Sequence, residues 1–573
     1  MPITRHFATV SDQPGLDQVK RARQVHYRRA GEGPPVIMLH MSPRSSAECE
    51  PLMQAWSDSF TIFAPDTPGY GASDPLSGGP FDLSDFAHAL AAFADSVGLD
   101  RFSLYGHHTG AMIAAEFARL YPARVTMTVA NGYLVVTKDE REEILSNYFH
   151  DYTPQPDGQH LQHVWRRIRD QYMFFPWSVQ TPAARTLMKS KFTVPDPDII
   201  QEDALDLLRT GVHEADGYGA AFRCDGSEIL KDITTPCLVT AQPYDLLYEQ
   251  LDRIPEDIPD SVSVDRFDTM DALNAAAKQL LMDHAVGDAP AVTATATIMD
   301  QAWKSYADTA TGQLSIRRGH VGTGLPVVLI HNFGSSTSAW QPVVTALTGK
   351  RPFVALDLPG HGETGSAWGD GEVTIDVCAN AVSEAMKNIG IEACHLFSYG
   401  GGGLVALKLL ERGEKDIRSW TAVDFWLFDD EEKAKLKDRL APILKPEPYG
   451  QHLNQAWYMI RDSELFWPWF DPKPENAVNQ PPETDPARLH RRVCDLLKAA
   501  PVYQTIVNSA LEADGEAILK TLDIPVIFGP RNGSPHTDRC RRAAELTPKG
   551  KAITLSNDHG RRAAAVVALL KDK

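Results

Sequence analysis

Two α/β domains in tandem, each a mostly parallel sheet flanked by helices under a helical cap, are what this sequence predicts. Three observations carry the expectation. GQHLQHVWRRIRDQYMFFPW, starting at Gly158, returns in register as GQHLNQAWYMIRDSELFWPW, starting at Gly450, with Gly, Gln, His, Leu, Trp, Ile, Arg, Asp, Phe and Pro recurring at matching positions. Each half then carries the same segments in the same order, and the register of the repeat sets His108 against Gly400. Finally, the strand segments are nearly all-apolar runs rich in Val and Ile, as in parallel sheets covered on both faces. At 573 residues the chain exceeds what one core usually organises.

In each half a first buried strand, PPVIMLH or LPVVLIH, ends at His40 or His331. A D-x-P-G-x-G turn follows, with Asp66 in DTPGYG and Asp357 in DLPGHG. Next come a helix and a second buried strand that breaks into a sharp turn and a helix, as FSLYGHHTGAMIAAEFA from Phe102 and CHLFSYGGGGLVALKLL from Cys394. A cap insertion is expected at about 135–230 and about 427–520, before the late strands TPCLVT and IPVIFG. In the cap, Leu161, Trp165 and Ile168 fall on one apolar helix face, while Gln159 and His160 precede it and are expected to face a ligand. The domains are expected to span 1–290 and 291–573, joined within the Ala/Thr-rich stretch from His284 to Asp308.

Composition narrows the function. A net charge of -19 argues against nucleic acid as a partner. Seven scattered cysteines without a C-x-x-C pair suggest a reduced, cytoplasmic chain, and no stretch has the length and apolarity of a membrane helix. Neither a G-x-G-x-x-G opening a helix after the first strand nor a P-loop is present, so no cofactor is expected. There is no H-E-x-x-H, and adjacent ring nitrogens at His107 and His108 seldom share an ion, so no metal is expected.

These segments resemble the α/β-hydrolase superfamily, twice over. The first half is also similar to a subgroup marked by L-H-x-S-P-R-S-S and G-H-H-T-G, present here at His40 to Ser46 and Gly106 to Gly110. The resemblance implies a nucleophile on each elbow, an acid after a late strand and a histidine after the last strand. Neither half has all three. The first has His108 on the elbow, Asp245 at the acid position and Asp268, Thr269 and Met270 where histidine belongs. The second has Gly400 on its S-Y-G-G-G elbow, Asn532 at the acid position and His559 at the histidine position.

The resulting expectation is a His108–Asp245 dyad acting as a general base. Backbone N–H groups of Thr109 and of Met41 or Ser42 would form the oxyanion site. Arg44 would pair with a substrate carboxylate or enolate, with His40 and His107 close by. In the second half, His559 and Asp424 would form an alternative dyad above an open Gly400. The expected activity is hydrolysis or C–C or C–O cleavage of a small carbonyl- or carboxylate-bearing molecule. A catalytically silent tandem binding protein and a cofactor-free oxygenase-type enzyme are the alternatives. The two halves are expected to pack as a pseudo-dimer.

Overall fold

In the computed structural model the described residues are 2–11, 22–182, 184, 194–242, 244–291, 301–365, 368, 371–413 and 416–570. Residues 292–300 of the expected seam lie outside them. The chain divides into two units, Met1–Thr153 with Gln159–Ala296, and Pro154–Gly158 with Thr297–Lys573.

The first unit is built on an eight-stranded sheet in the order β1-β2-β4-β3-β5-β6-β7-β8. Its strands are β1 (Thr4–Ser11), β2 (Ala22–Ala30), β3 (Pro35–Leu39), β4 (Thr61–Pro65), β5 (Phe102–His107), β6 (Val125–Asn131), β7 (Cys237–Thr240) and β8 (Val262–Val264). β1 and β2 pair antiparallel, as do β2 and β4, and every other pairing is parallel. β3, β4 and β6 are buried at every position, as expected for strands covered by helices on both faces.

The second unit repeats this with β9 (Trp303–Thr309), β10 (Gly312–Gly319), β11 (Val327–Ile330), β12 (Phe353–Leu356), β13 (Ala393–Tyr399), β14 (Asp416–Val423), β15 (Val526–Gly529) and β16 (Gly550–Ala552). Its order, read from the antiparallel edge, is β9-β10-β12-β11-β13-β14-β15-β16, the same topology. Helices Gln159–Gln171 and Pro197–Thr210 lie between β6 and β7, and Gln451–Asp462 and Pro486–Glu512 between β14 and β15. Leu161, Trp165 and Ile168 are all buried, so packing explains their spacing.

The D-x-P-G-x-G turn is a structural clasp in both units. Asp66 accepts hydrogen bonds from the N–H groups of Ser46 and Ala72, each at 2.8 Å, and meets His26 Nδ1 at 2.8 Å. Gly71, at φ 53°, is required because a Cβ there would lie 2.1 Å from the Asp66 carboxylate. Asp357 likewise accepts from Thr337 and Glu363, with Gly362 at φ 52°. Two acids that a motif reading singles out thus hold loops to the sheet.

Candidate functional site

β5 ends by turning sharply into helix Thr109–Leu120, and close packing forces the turn. A Cβ on Gly106 would lie 2.3 Å from the Gly110 carbonyl, and one on Gly110 would lie 2.2 Å from the Leu39 carbonyl. Between these glycines His108 adopts φ 50°, ψ -113°, a conformation that non-glycine residues rarely take outside constrained sites. Its N–H donates to Asn131 O at 2.9 Å, which pins the turn to the end of β6.

The ring of His108 reaches Asp245, on the loop after β7, with Nε2 2.7 Å from Oδ2. The other carboxylate oxygen accepts the Leu247 N–H at 2.8 Å. Burial alone would raise the Asp245 carboxyl, but His108, His107 and that N–H outweigh it and hold it below the usual carboxylate range. Gly132, at φ 71° just past β6, leaves the ring its space: a Cβ there would lie 2.2 Å from His108 Cδ2.

His107 points to a second carboxylate, with Nδ1 2.6 Å from Glu48 Oε1. Glu48 Oε2 also accepts the Met41 N–H at 2.9 Å. Burial would raise the Glu48 carboxyl, but His107 and the Met41 N–H reverse this and bring it down to about 2. The expected oxyanion donor at Met41 is therefore already satisfied by Glu48, which corrects that expectation. Ser42 is buried and precedes a cis proline. Thr109 opens the helix, where the first N–H groups have no partner within the helix.

Two expected ligand-binding residues, His40 and Arg44, have other duties. His40 lies with Nδ1 2.8 Å from the Met41 carbonyl, and its Nε2 accepts the Thr67 N–H at 2.9 Å, tying strand end to turn. His331 does the same with Asn332 and Leu358, so this histidine is architectural in both units. Arg44 pairs with Asp203 and, at 3.2 Å, with Asp206 of cap helix Pro197–Thr210, and Ser45 also donates to Asp206. Burial opposes the Arg44 charge, but Asp203, Asp206 and Glu48 raise its pKa further. Its guanidinium clamps the cap to the loop and is committed to these acids.

Gln159 and His160 do not face one ligand together. Gln159 is exposed and His160 buried, because consecutive helical positions point about 100° apart.

The second unit fills its elbow differently. Gly400 has φ 54°, and a Cβ there would lie 2.5 Å from Asn332 Oδ1. That oxygen accepts the Gly401 N–H at 2.8 Å, and Phe333 and Trp426 crowd the same residue. The open space expected above Gly400 is thus taken. Asp424, at φ 46°, binds Arg531 through Nε at 2.5 Å and backbone N–H at 3.0 Å, and accepts from Tyr399 Oη at 3.1 Å. His559 is exposed at the start of helix His559–Leu569, and Arg562 lies 2.9 Å from its Nδ1. The expected Asp424–His559 dyad does not form, because each residue is held by a different arginine.

Among the described residues, His107, His108 and Asp245 form the one group of three or more histidine, cysteine or acidic side chains close enough to hold a metal ion. Sequence reasoning missed Glu48, Gly132, Asn332 and Arg531. Only Gly132 left a signal, since the repeat sets it against Asp424.

Residues 34–171 match the family described as alpha/beta hydrolase fold, and residues 327–555 match the Alpha/beta hydrolase family. An uncharacterized hydrolase of Saccharomyces cerevisiae is 27% identical over 144 residues, which is 24% of this chain and 50% of that protein. Haloalkane dehalogenase 2 of Mycobacterium tuberculosis is 33% identical over 95 residues, 17% of this chain and 33% of the relative. 2-(Acetamidomethylene)succinate hydrolase of Mesorhizobium japonicum is 34% identical over 121 residues, 21% of this chain and 43% of the relative. The chain thus spans half or less of the length of these curated relatives. A thermophilic esterase from Thermogutta terrifontis, solved with malate bound, is 19% identical, with 47% of this chain and 95% of that chain covered and a TM-score of 0.36. No helix among the described residues is long and apolar enough to cross a membrane.

Proposed function

This chain belongs to the alpha/beta hydrolases, as two such domains in tandem, and from that premise we propose that the first domain hydrolyses a small carbonyl compound by histidine general-base catalysis. The observation that carries the reading is the 2.7 Å contact between His108 Nε2 and Asp245 Oδ2. With the proton on Nε2 and donated to Asp245, His108 keeps Nδ1 as the free base. This is the reverse of the usual triad, whose histidine gives Nδ1–H to the acid.

In the proposed reaction Nδ1 takes a proton from water as it attacks the carbonyl carbon. Asp245 stabilises the imidazolium, and the same proton passes to the leaving oxygen or nitrogen as the tetrahedral intermediate collapses. No acyl-enzyme forms, because the elbow carries no hydroxyl. The N–H groups of Thr109 and Ser42 are the remaining oxyanion donors, since Glu48 holds that of Met41.

The charge around the site favours a neutral ester or amide over a carboxylate. Glu48 and Asp245 supply negative charge, and Arg44 is spent on Asp203 and Asp206. The second domain acts as a non-catalytic companion in this reading, its elbow filled by Asn332 and its acid paired with Arg531.

The test is a panel of chromogenic esters and amides assayed with wild type, His108→Ala and His559→Ala, with folding checked by circular dichroism. Turnover should fall about 10²–10⁴-fold in His108→Ala and stay unchanged in His559→Ala. Equal activity in wild type and His108→Ala overturns the reading.

A further inference from the structure

We propose that His107, His108 and Asp245 form a binding site for one divalent transition cation of the zinc type, and that this ion and the general base exclude each other. One nitrogen of each histidine and one oxygen of Asp245 lie within 4.8 Å of one another. Two imidazoles and one carboxylate suit zinc and its first-row neighbours, whereas calcium and magnesium prefer oxygen donors.

The supporting contacts already orient the donors. Glu48, 2.6 Å from His107 Nδ1, holds that nitrogen and leaves Nε2 as the ring atom to meet the ion. This is the carboxylate–histidine arrangement that commonly backs a metal ligand. The Leu247 N–H holds Asp245 Oδ1, which leaves Oδ2 for the ion. Gly132 keeps the neighbouring space clear, since a Cβ there would fall 2.8 Å from His108 Nε2 and 3.4 Å from Asp245 Oδ2. Neighbouring histidines on a tight turn usually diverge. Here the positive φ of His108 brings the two ring centroids to 4.5 Å.

Ligand atoms around a tetrahedral zinc stand about 3.3 Å apart, given bonds of about 2.0–2.1 Å. Loading therefore requires the His108–Asp245 pair to open slightly and His107 to close in. The His108 proton moves from Nε2 to Nδ1 as the Nε2 lone pair takes the ion, so no proton is lost and Nδ1 ceases to be a base. Metal occupancy would switch off the proposed hydrolysis.

Chelator-treated full-length protein is titrated with Co²⁺, followed by visible absorbance and by calorimetry, without any substrate. One Co²⁺ per chain should bind with d–d bands and be displaced by Zn²⁺. His107→Gln should weaken binding by about tenfold or more, and Glu48→Gln by about 10–100-fold. Absence of the bands, or unchanged affinity in His107→Gln folded to the wild-type circular dichroism spectrum, overturns the proposal. The catalytic reading fails separately, by turnover surviving in metal-free His108→Ala.

Discussion

At the two elbows one backbone design holds opposite side-chain choices. The first domain puts a side chain on the turn, His108, and none just past the neighbouring strand, where Gly132 stands. The second has none on the turn, Gly400, and an acid past the strand, Asp424. All four positions have positive φ, so the mounting is the same and only its load differs. The loops after β3 and β11 diverge in the same way. Glu48 binds the Met41 N–H in the first domain, and the spacing that carries His40 onto His331 places Ala339 opposite Glu48. In the second, Asn332 takes the Gly401 N–H instead. The difference teaches that an elbow gives position but not chemistry. Imidazole beside carboxylate can move a proton, whereas carboxylate beside guanidinium is a locked ion pair.

Removing the lock should have the largest effect on stability. Asp424→Asn tolerates the positive φ but removes the carboxylate paired directly with Arg531, at a cost of about 3 kcal/mol, measured by urea unfolding monitored separately for each domain. Stability unchanged in the second domain would break the contrast.

A comparable effect is expected from pH. Arg44 and Ser45 tie the first cap to Asp203 and Asp206, whereas the second domain uses the hydroxyls of Ser336 and Ser338 on Asp495, at 2.9 and 2.8 Å. Burial pushes the Asp495 carboxyl from 3.8 up to about 6, against Lys498 and the two hydroxyls. The folded state therefore binds more protons than the unfolded one between these values, and second-domain stability falls as pH rises through that window. The loss is on the order of 3 kcal/mol. Asp495→Asn should flatten this slope in unfolding measured from pH 4 to 7.

Gly132→Ala tests the load on the first elbow. The added methyl meets the His108 ring and an unfavourable φ, so a destabilisation of about 1–3 kcal/mol is expected, together with loss of turnover. Wild-type turnover in this variant would show that the ring does not need its present position. The smallest effect belongs to Asn332→Ala, which should lower second-domain stability by about 1 kcal/mol by freeing the Gly401 N–H. It should not create hydrolytic activity, because Asp424 stays paired with Arg531.

Much of the architecture was legible because it is written in periodic apolar runs, in duplicated segments and in glycines whose spacing has few structural uses. The pairing of His108 with Asp245 was reachable from the sequence, since both occupy positions that the fold brings together. The partners of Arg44, Glu48 and Asp424 were not. Their contacts join loop to cap or strand end to distant loop, as Arg44 to Asp206 and Asp424 to Arg531, and no local pattern encodes such distances.

By itself the sequence determined two α/β domains and a histidine where a nucleophile is usually mounted, since burial periodicity and turn chemistry are local properties of the chain. Only the tertiary structure decided which charges meet. It spent Arg44 on the cap, gave the Met41 N–H to Glu48, closed the second elbow with Asn332 and left the first with an imidazole–carboxylate pair. The reason is physical: a buried charge or N–H must find a partner, and which one it finds depends on what the fold places within about 3 Å.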